Sequence, residues 1–154
     1  MTSSGPKLIE INGRMGGFYL REWIQHLYGV DLMMCALQVS SGVKPYIPLH
    51  PTNETLMGIM LIPSKHRDIW ENKESRQSLL EMQKHGELII NMFRDEFEDI
   101  CEALEEPFGN IAIRGKSVED AKEKLLKLCE RFEISCEGYN VRNFTSCFWS
   151  LLKW

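Results

Sequence analysis

Apolar and polar positions alternate over residues 7–12, with Ile9 and Ile11 on one side and Glu10 and Asn12 on the other. That period of two predicts a strand running into the glycine-rich turn Gly13-Arg14-Met15-Gly16-Gly17. The period then lengthens. Leu20, Trp23, Ile24 and Leu27 recur at helical spacing within residues 19–27, and Gly29 is placed to close that helix. Asp31 suits the N-cap of a second helix, running to about Ser40 and ended by Gly42. Leu32, Met33, Met34, Cys35, Ala36, Leu37 and Val39 make this helix apolar nearly all round, which predicts deep burial. Its methionine pair reads as core filling rather than as a soft-metal site.

Pro45, Pro48 and Pro51 keep residues 43–53 out of regular helix or central strand. The apolar run 56–62, bounded by Pro63, predicts a buried strand in which Gly58 permits close approach of a neighbour. Residues 65–84 are helical in pattern, broken in two around 72–75, and 87–93 read as a strand after the Gly86 turn. Residues 108–114 alternate again and stop at Gly115. Ser117-Val118-Glu119-Asp120 then forms a capping-box-like helix start, with acids where the helix dipole favours them. Ala121, Leu125, Leu128, Cys129 and Phe132 give that helix one apolar face. Strand, turn and helix in this order predict an α+β fold, with a layer packed on the first strand. Residues 139–154 are rich in aromatics, either docked on the body or forming an interaction tail.

Composition narrows the function classes. With 44% hydrophobic and 26% charged residues, 154 residues suffice for a domain with its own core. A net charge of −4, with Lys and Arg scattered, speaks against a nucleic-acid partner. No apolar run reaches the roughly 18 residues of a membrane span, and the polar start is no signal peptide. Five irregularly spaced cysteines read as reduced, mostly buried thiols, and together these features predict a cytoplasmic protein. The two N-x-[ST] matches at Asn53 and Asn143 are then fortuitous. Seven carboxylates between Asp95 and Glu106 read as a solvated face rather than a metal cluster. His26 is expected to be partly exposed on a helix flank, and His50 and His66 to lie on solvent-facing loops.

The stretch 10–17 carries the chemistry. A carboxylate and an amide oxygen side by side on a strand suit a hard divalent cation such as Mg²⁺. Gly13, Gly16 and Gly17 bring backbone N–H groups close to an anion, and the Arg14 guanidinium offers a two-pronged donor to phosphate or carboxylate. Neither G-x-G-x-x-G nor G-x-x-x-x-G-K-[ST] occurs. The blander alternative is a strand ending in an Asn-Gly turn, with Glu10 on a solvated face.

Leu8-Ile9-Glu10-Ile11-Asn12-Gly13-Arg14-Met15-Gly16-Gly17 resembles the metal-binding strand and loop of the ATP-grasp carboxylate–amine ligases. The pieces Gly-Gly-Phe-Tyr at 16–19 and Tyr-Gly-Val-Asp at 28–31 are similar to the C-terminal part of the carnosine synthase branch of that family. The resemblance runs over residues 4–48, continues more weakly to about Cys129, and places nothing past Cys136. It implies the C-terminal portion of an ATP-grasp fold over residues 1–55, an appended α/β segment over 56–138, and the aromatic-rich tail 139–154. It also implies ATP and Mg²⁺ (or Mn²⁺) as cofactors and amino acids as substrates, β-alanine and L-histidine in that branch. Glu10 and Asn12 become the metal ligands, Arg14 the catalytic residue that steadies the transferred phosphoryl group, and Gly16 and Gly17 the backbone donors to the nucleotide. In the family, an earlier strand with another metal carboxylate, the adenine pocket and the triphosphate lysines come before the turn at Ser3–Pro6. The chain is therefore expected to be a C-terminal fragment, inactive alone, of a protein that carries the missing N-terminal ATP-grasp portion. The rival expectation is a non-catalytic binding module that keeps part of the fold.

Overall fold

The computed structural model describes residues 17, 19–48, 52–93 and 106–143. The chain divides into two compact units, residues 1–51 and 52–154.

The first unit holds two helices, α1 (Leu20–Tyr28) and α2 (Leu32–Ser40). Gly29 ends α1 at φ 66°, and its N–H donates to the Gln25 carbonyl. The Asp31 carboxylate caps α2, accepting from the N–H groups of Met33 (2.9 Å) and Met34 (3.2 Å). The helices fall where the pattern puts them, but the predicted burial of α2 does not hold. Neither helix contains a buried residue, and Leu37 and Val39 are 56% and 63% exposed. Val30 is the one buried apolar side chain among the described residues of this unit. A unit of about fifty residues has too little mass to surround a helix that is apolar on every side.

The second unit is built on a three-stranded antiparallel sheet. In chain order it runs β1 (Thr55–Leu61), α3 (Pro63–Glu71), α4 (Lys73–Lys84), β2 (Leu88–Met92), β3 (Gly109–Gly115) and α5 (Val118–Arg131). The spatial order is β1-β3-β2, and β3 is antiparallel to both neighbours. The outer strands are thus parallel to each other, separated by a strand from later in the chain, and joined through α3 and α4. The register stacks side chains in rows, because alternate residues share a face. Met57, Ile113 and Leu88 form one row, and Ile59, Ile111 and Ile90 the next. Against these rows pack Trp70, Leu79, Leu125, Leu128, Cys129 and Phe132, making one core.

β3 is buried over most of its length because it is the middle strand. β1 is an edge strand whose burial is confined to Ile59 and Leu61, so the expected fully buried strand is half-buried instead. Asn110, on β3, is buried and donates through Nδ2 to the Ile59 carbonyl at 2.8 Å, which satisfies a polar group the core would otherwise penalise. Tyr139, first residue of the aromatic-rich tail, is buried, and its hydroxyl donates to the Met60 carbonyl on β1 at 2.7 Å.

Asn72 ends α3 and caps α4, its side chain accepting from Glu74 N–H and Ser75 N–H. This places the break at the start of the predicted window. Ser117 caps α5 as its sequence predicts, accepting from Asp120 N–H at 3.2 Å. Ser117→Ala is expected to lower stability by about 1 kcal/mol, read as a shift in the urea midpoint with an unchanged slope.

Candidate functional site

Of the residues assigned to metal and phosphate, Glu10, Asn12, Arg14 and Gly16 lie outside the described residues. Gly17 is exposed, and a Cβ placed on it would meet no atom within 4 Å. Its carbonyl accepts from Leu20 N–H at 3.4 Å, so Gly17 leads directly into α1. Tyr19 and Trp23, one turn apart, bring their rings to 4.5 Å. Arg21 reaches from α1 to the Asp31 cap of α2 at 3.4 Å. The Asp31 carboxyl is held below its ordinary range, chiefly by the Met34 N–H, with help from Met33 N–H and the Arg21 guanidinium.

The second unit carries several buried titratable groups. His66 is not on a solvent-facing loop as expected. It lies in the first turns of α3 and is fully buried. Its Nδ1 accepts from Ile62 N–H at 2.8 Å, and its Nε2 lies 3.0 Å from the Ile134 carbonyl. A backbone N–H can only donate and a carbonyl can only accept, so the ring is neutral with its proton on Nε2. Burial lowers the His66 pKa from its ordinary 6.5, the Ile134 carbonyl opposing and Lys65 adding to the shift. The ring also meets Tyr139 edge-on at 4.6 Å. These contacts make His66 a structural pin between α3 and the chain after α5.

Burial pushes the Cys129 thiol and the Tyr139 phenol each up to about 12. Both stay protonated near neutral pH, so Cys129 is no nucleophile there. Cys35 and Cys136 are half-buried free thiols, while Cys101 and Cys147 lie outside the described residues. His26 is half-buried, and His50 lies outside the described residues, as do all of the seven clustered carboxylates except the exposed Glu106. Among the described residues, no group of three His, Cys, Asp or Glu side chains is gathered to hold a metal ion. None of their helices is long and apolar enough to cross a membrane.

One concave feature lies at the end of the sheet where β3 leaves for α5. It is a groove of about 480 Å³, floored by Met82, Ile113 and Leu128 and lined by Arg114, Lys116, Lys124, Lys127 and Arg131. Glu54 and Glu87 also line it. Cations that look scattered in the sequence are therefore brought together by the fold. A signal was present, since positions 124, 127 and 131 are spaced to share one face of α5. What the sequence lacks is the register that sets Arg114 beside them.

Comparison with known proteins adds the relationship. No family model matches the chain, and no solved structure matches it. Carnosine synthase 1 of mouse is 41% identical over 149 residues, that of human 39%, and that of chicken 34%. Each match covers 96% of this chain but only 16–18% of the relative. A match of 149 residues leaves five unmatched, fewer than the eighteen that follow Cys136. The resemblance thus extends into the tail, where the sequence motifs placed nothing. Along nearly its whole length, the chain is similar to one segment, under a fifth, of carnosine synthase 1.

Proposed function

We propose that this chain is the C-terminal catalytic piece of an ATP-grasp carboxylate–amine ligase of the carnosine synthase type. The observation that carries the proposal is the 34–41% identity to carnosine synthase 1 over 96% of the chain. The donor set supports it: a carboxylate and an amide oxygen, Glu10 and Asn12, are the ligand types a hard divalent cation takes. In this proposal, residues 1–55 complete the ATP-grasp domain, 56–138 form the appended α/β segment, and 139–154 the tail.

The reaction is the ATP-dependent joining of β-alanine to L-histidine. The γ-phosphoryl group of ATP passes to the β-alanine carboxylate, giving an acyl phosphate and ADP. The histidine amine then attacks the carbonyl carbon, the new C–N bond forms, and phosphate leaves with the C–O bond electrons. Bound Mg²⁺ supplies neutralisation of the charge that develops on the transferring phosphoryl group. Glu10 and Asn12 would hold that ion through their oxygens. Arg14 would orient the phosphoryl oxygens through a two-pronged guanidinium contact, and Gly16 and Gly17, having no side chain, would offer backbone N–H groups to the nucleotide.

The complete protein provides the test. Glu10→Ala and Asn12→Ala are each expected to lower ligation at limiting Mg²⁺ by at least about tenfold, since loss of even an outer-shell partner of a metal site costs about 10–100-fold, with the unfolding midpoint unchanged. Near-normal rates in both variants would remove the assignment. The purified 154-residue chain, which spans 16–18% of the relatives it matches, is expected to show no ligation of β-alanine and histidine with ATP.

A further inference from the structure

The groove at the sheet end has no part in the ligase chemistry proposed above, yet it has the makings of a ligand site. Its cations differ in how far they are already engaged. Lys124 Nζ donates to Asp120 Oδ2 at 2.8 Å and to the Arg114 carbonyl at 3.3 Å. Lys127 pairs with Glu123 at 2.7 Å. Arg131 donates to Ser78 Oγ at 2.9 Å and lies over the Phe132 ring. Arg114 and Lys116 are different. Among the described residues, their side chains make no hydrogen bond or ion pair, and Arg114 Nε is buried without a partner.

A buried guanidinium N–H left unpaired costs more than an exposed one, so the position is held against a penalty that an incoming acceptor would relieve. Its placement is fixed by the backbone. Gly115, the next residue, sits so close to Ala121 that a Cβ on it would lie 2.4 Å from the Ala121 nitrogen. Lys116 N–H donates to Asp120 Oδ2 at 2.8 Å, tying the following residue to α5. On the other side, the turn before β2 at Gly86 (φ 76°) lies in van der Waals reach of the Arg114 guanidinium, 3.8 Å separating Nη1 from the site of a Cβ.

The form of the groove narrows the ligand. Five lining cations face two lining acids, Glu54 and Glu87, and with Asp120 and Glu123 paired to Lys124 and Lys127 a small positive balance remains, opposite in sign to the chain's net charge of −4. The Arg114 fork alone fills a carboxylate's two oxygens, whereas phosphate, with three acceptor oxygens, takes both the guanidinium fork and the Lys116 ammonium. Of the apolar floor, Ile113 and Leu128 belong to the core and half-buried Met82 gives the surface beside the cations, which an inorganic ion would not use. About 480 Å³ is within the usual range for small-molecule sites. We infer that the groove binds a phosphorylated small organic molecule of mononucleotide size, its phosphate on Arg114 and Lys116 and its apolar body on the floor.

Calorimetric titration of the full chain with AMP, in EDTA, tests this apart from the metal-dependent site around Glu10. AMP is expected to bind, while adenosine and inorganic phosphate each bind at least about tenfold more weakly, as a site needing both parts requires. Arg114→Ala and Lys116→Ala are each expected to weaken AMP by at least about tenfold. Lys116 is exposed, so its variant keeps the fold even where Arg114→Ala lowers stability. Glu10→Ala in the chain is expected to bind AMP normally, and this beside loss of ligation by the same substitution in the complete protein separates the two sites. No heat up to millimolar AMP, equal affinity for inorganic phosphate, or unchanged affinity in Lys116→Ala would each overturn the inference. Loss of AMP binding in Glu10→Ala would overturn it too.

Discussion

Gly115→Ala is expected to destabilise the second unit by about 3 kcal/mol or more, the upper end for a group forced into a packed site. The added carbon would lie 2.4 Å from the Ala121 nitrogen and 2.7 Å from its Cα. These are backbone atoms in the first turn of α5, so no side-chain rotation makes room. Relief requires α5 to move from β3, and Leu125 and Leu128 with it, out of a shared core. Gly109→Ala at the opposite end of the same strand is the control. There the nearest atom is Met92 Sδ at 2.9 Å, the end of a flexible side chain, so a loss of about 1 kcal/mol is expected. Urea unfolding of both variants measures the difference. Equal midpoints would show that α5 is not locked to β3 at Gly115.

His66→Ala is expected to cost roughly 3 kcal/mol, because it strands the Ile62 N–H and the Ile134 carbonyl, each worth about 1–3 kcal/mol when buried unpaired. The same contacts set a pH dependence. The folded pKa of His66 lies below its ordinary 6.5, so below pH 6.5 the unfolded chain binds more protons at this site. Stability from this group is complete above that value and is lost as pH falls through the folded pKa. The structural cause is plain, since a proton on Nδ1 would face the Ile62 N–H. His66→Gln offers an acceptor and a donor without a titrating ring. The stability difference between wild type and His66→Gln is therefore expected to shrink as pH drops from about 7 to 5. A constant difference over that range would show that His66 does not titrate on unfolding.

What the sequence disclosed depended on how local the cause was. Helix ends were legible because caps act within a few residues: Asp31 on Met33 and Met34, Ser117 on Asp120, Gly29 on Gln25. The apolar face of α5 was legible for the same reason, and Ala121, Leu125, Leu128 and Cys129 are all buried. His66 was misplaced because its partner Ile134 is 68 residues away. Periodicity cannot distinguish a histidine with a distant carbonyl from one facing water. The exposure of α2 failed in the same way, since an apolar helix predicts burial without saying what is at hand to bury it. The motif at residues 10–17 rests on the sequence alone, since Glu10, Asn12, Arg14 and Gly16 lie outside the described residues. The groove was hidden because its parts come from β3, the α4–β2 turn and α5.

The strand that joins the sheet is also the last of the three to leave the ribosome. β1 and β2 each pair in this sheet with β3 alone, so until residues 109–115 have been synthesised neither has its ladder. Premature stops ahead of that point yield polypeptides with two strand sequences and nothing to zip them together. Closing the ladder from β1 to β3 spans about fifty residues, a long loop of the kind that slows folding. Nascent chains of this unit thus carry both outer strands without a partner until residues 109–115 emerge, the kind of unpaired edge that invites aggregation.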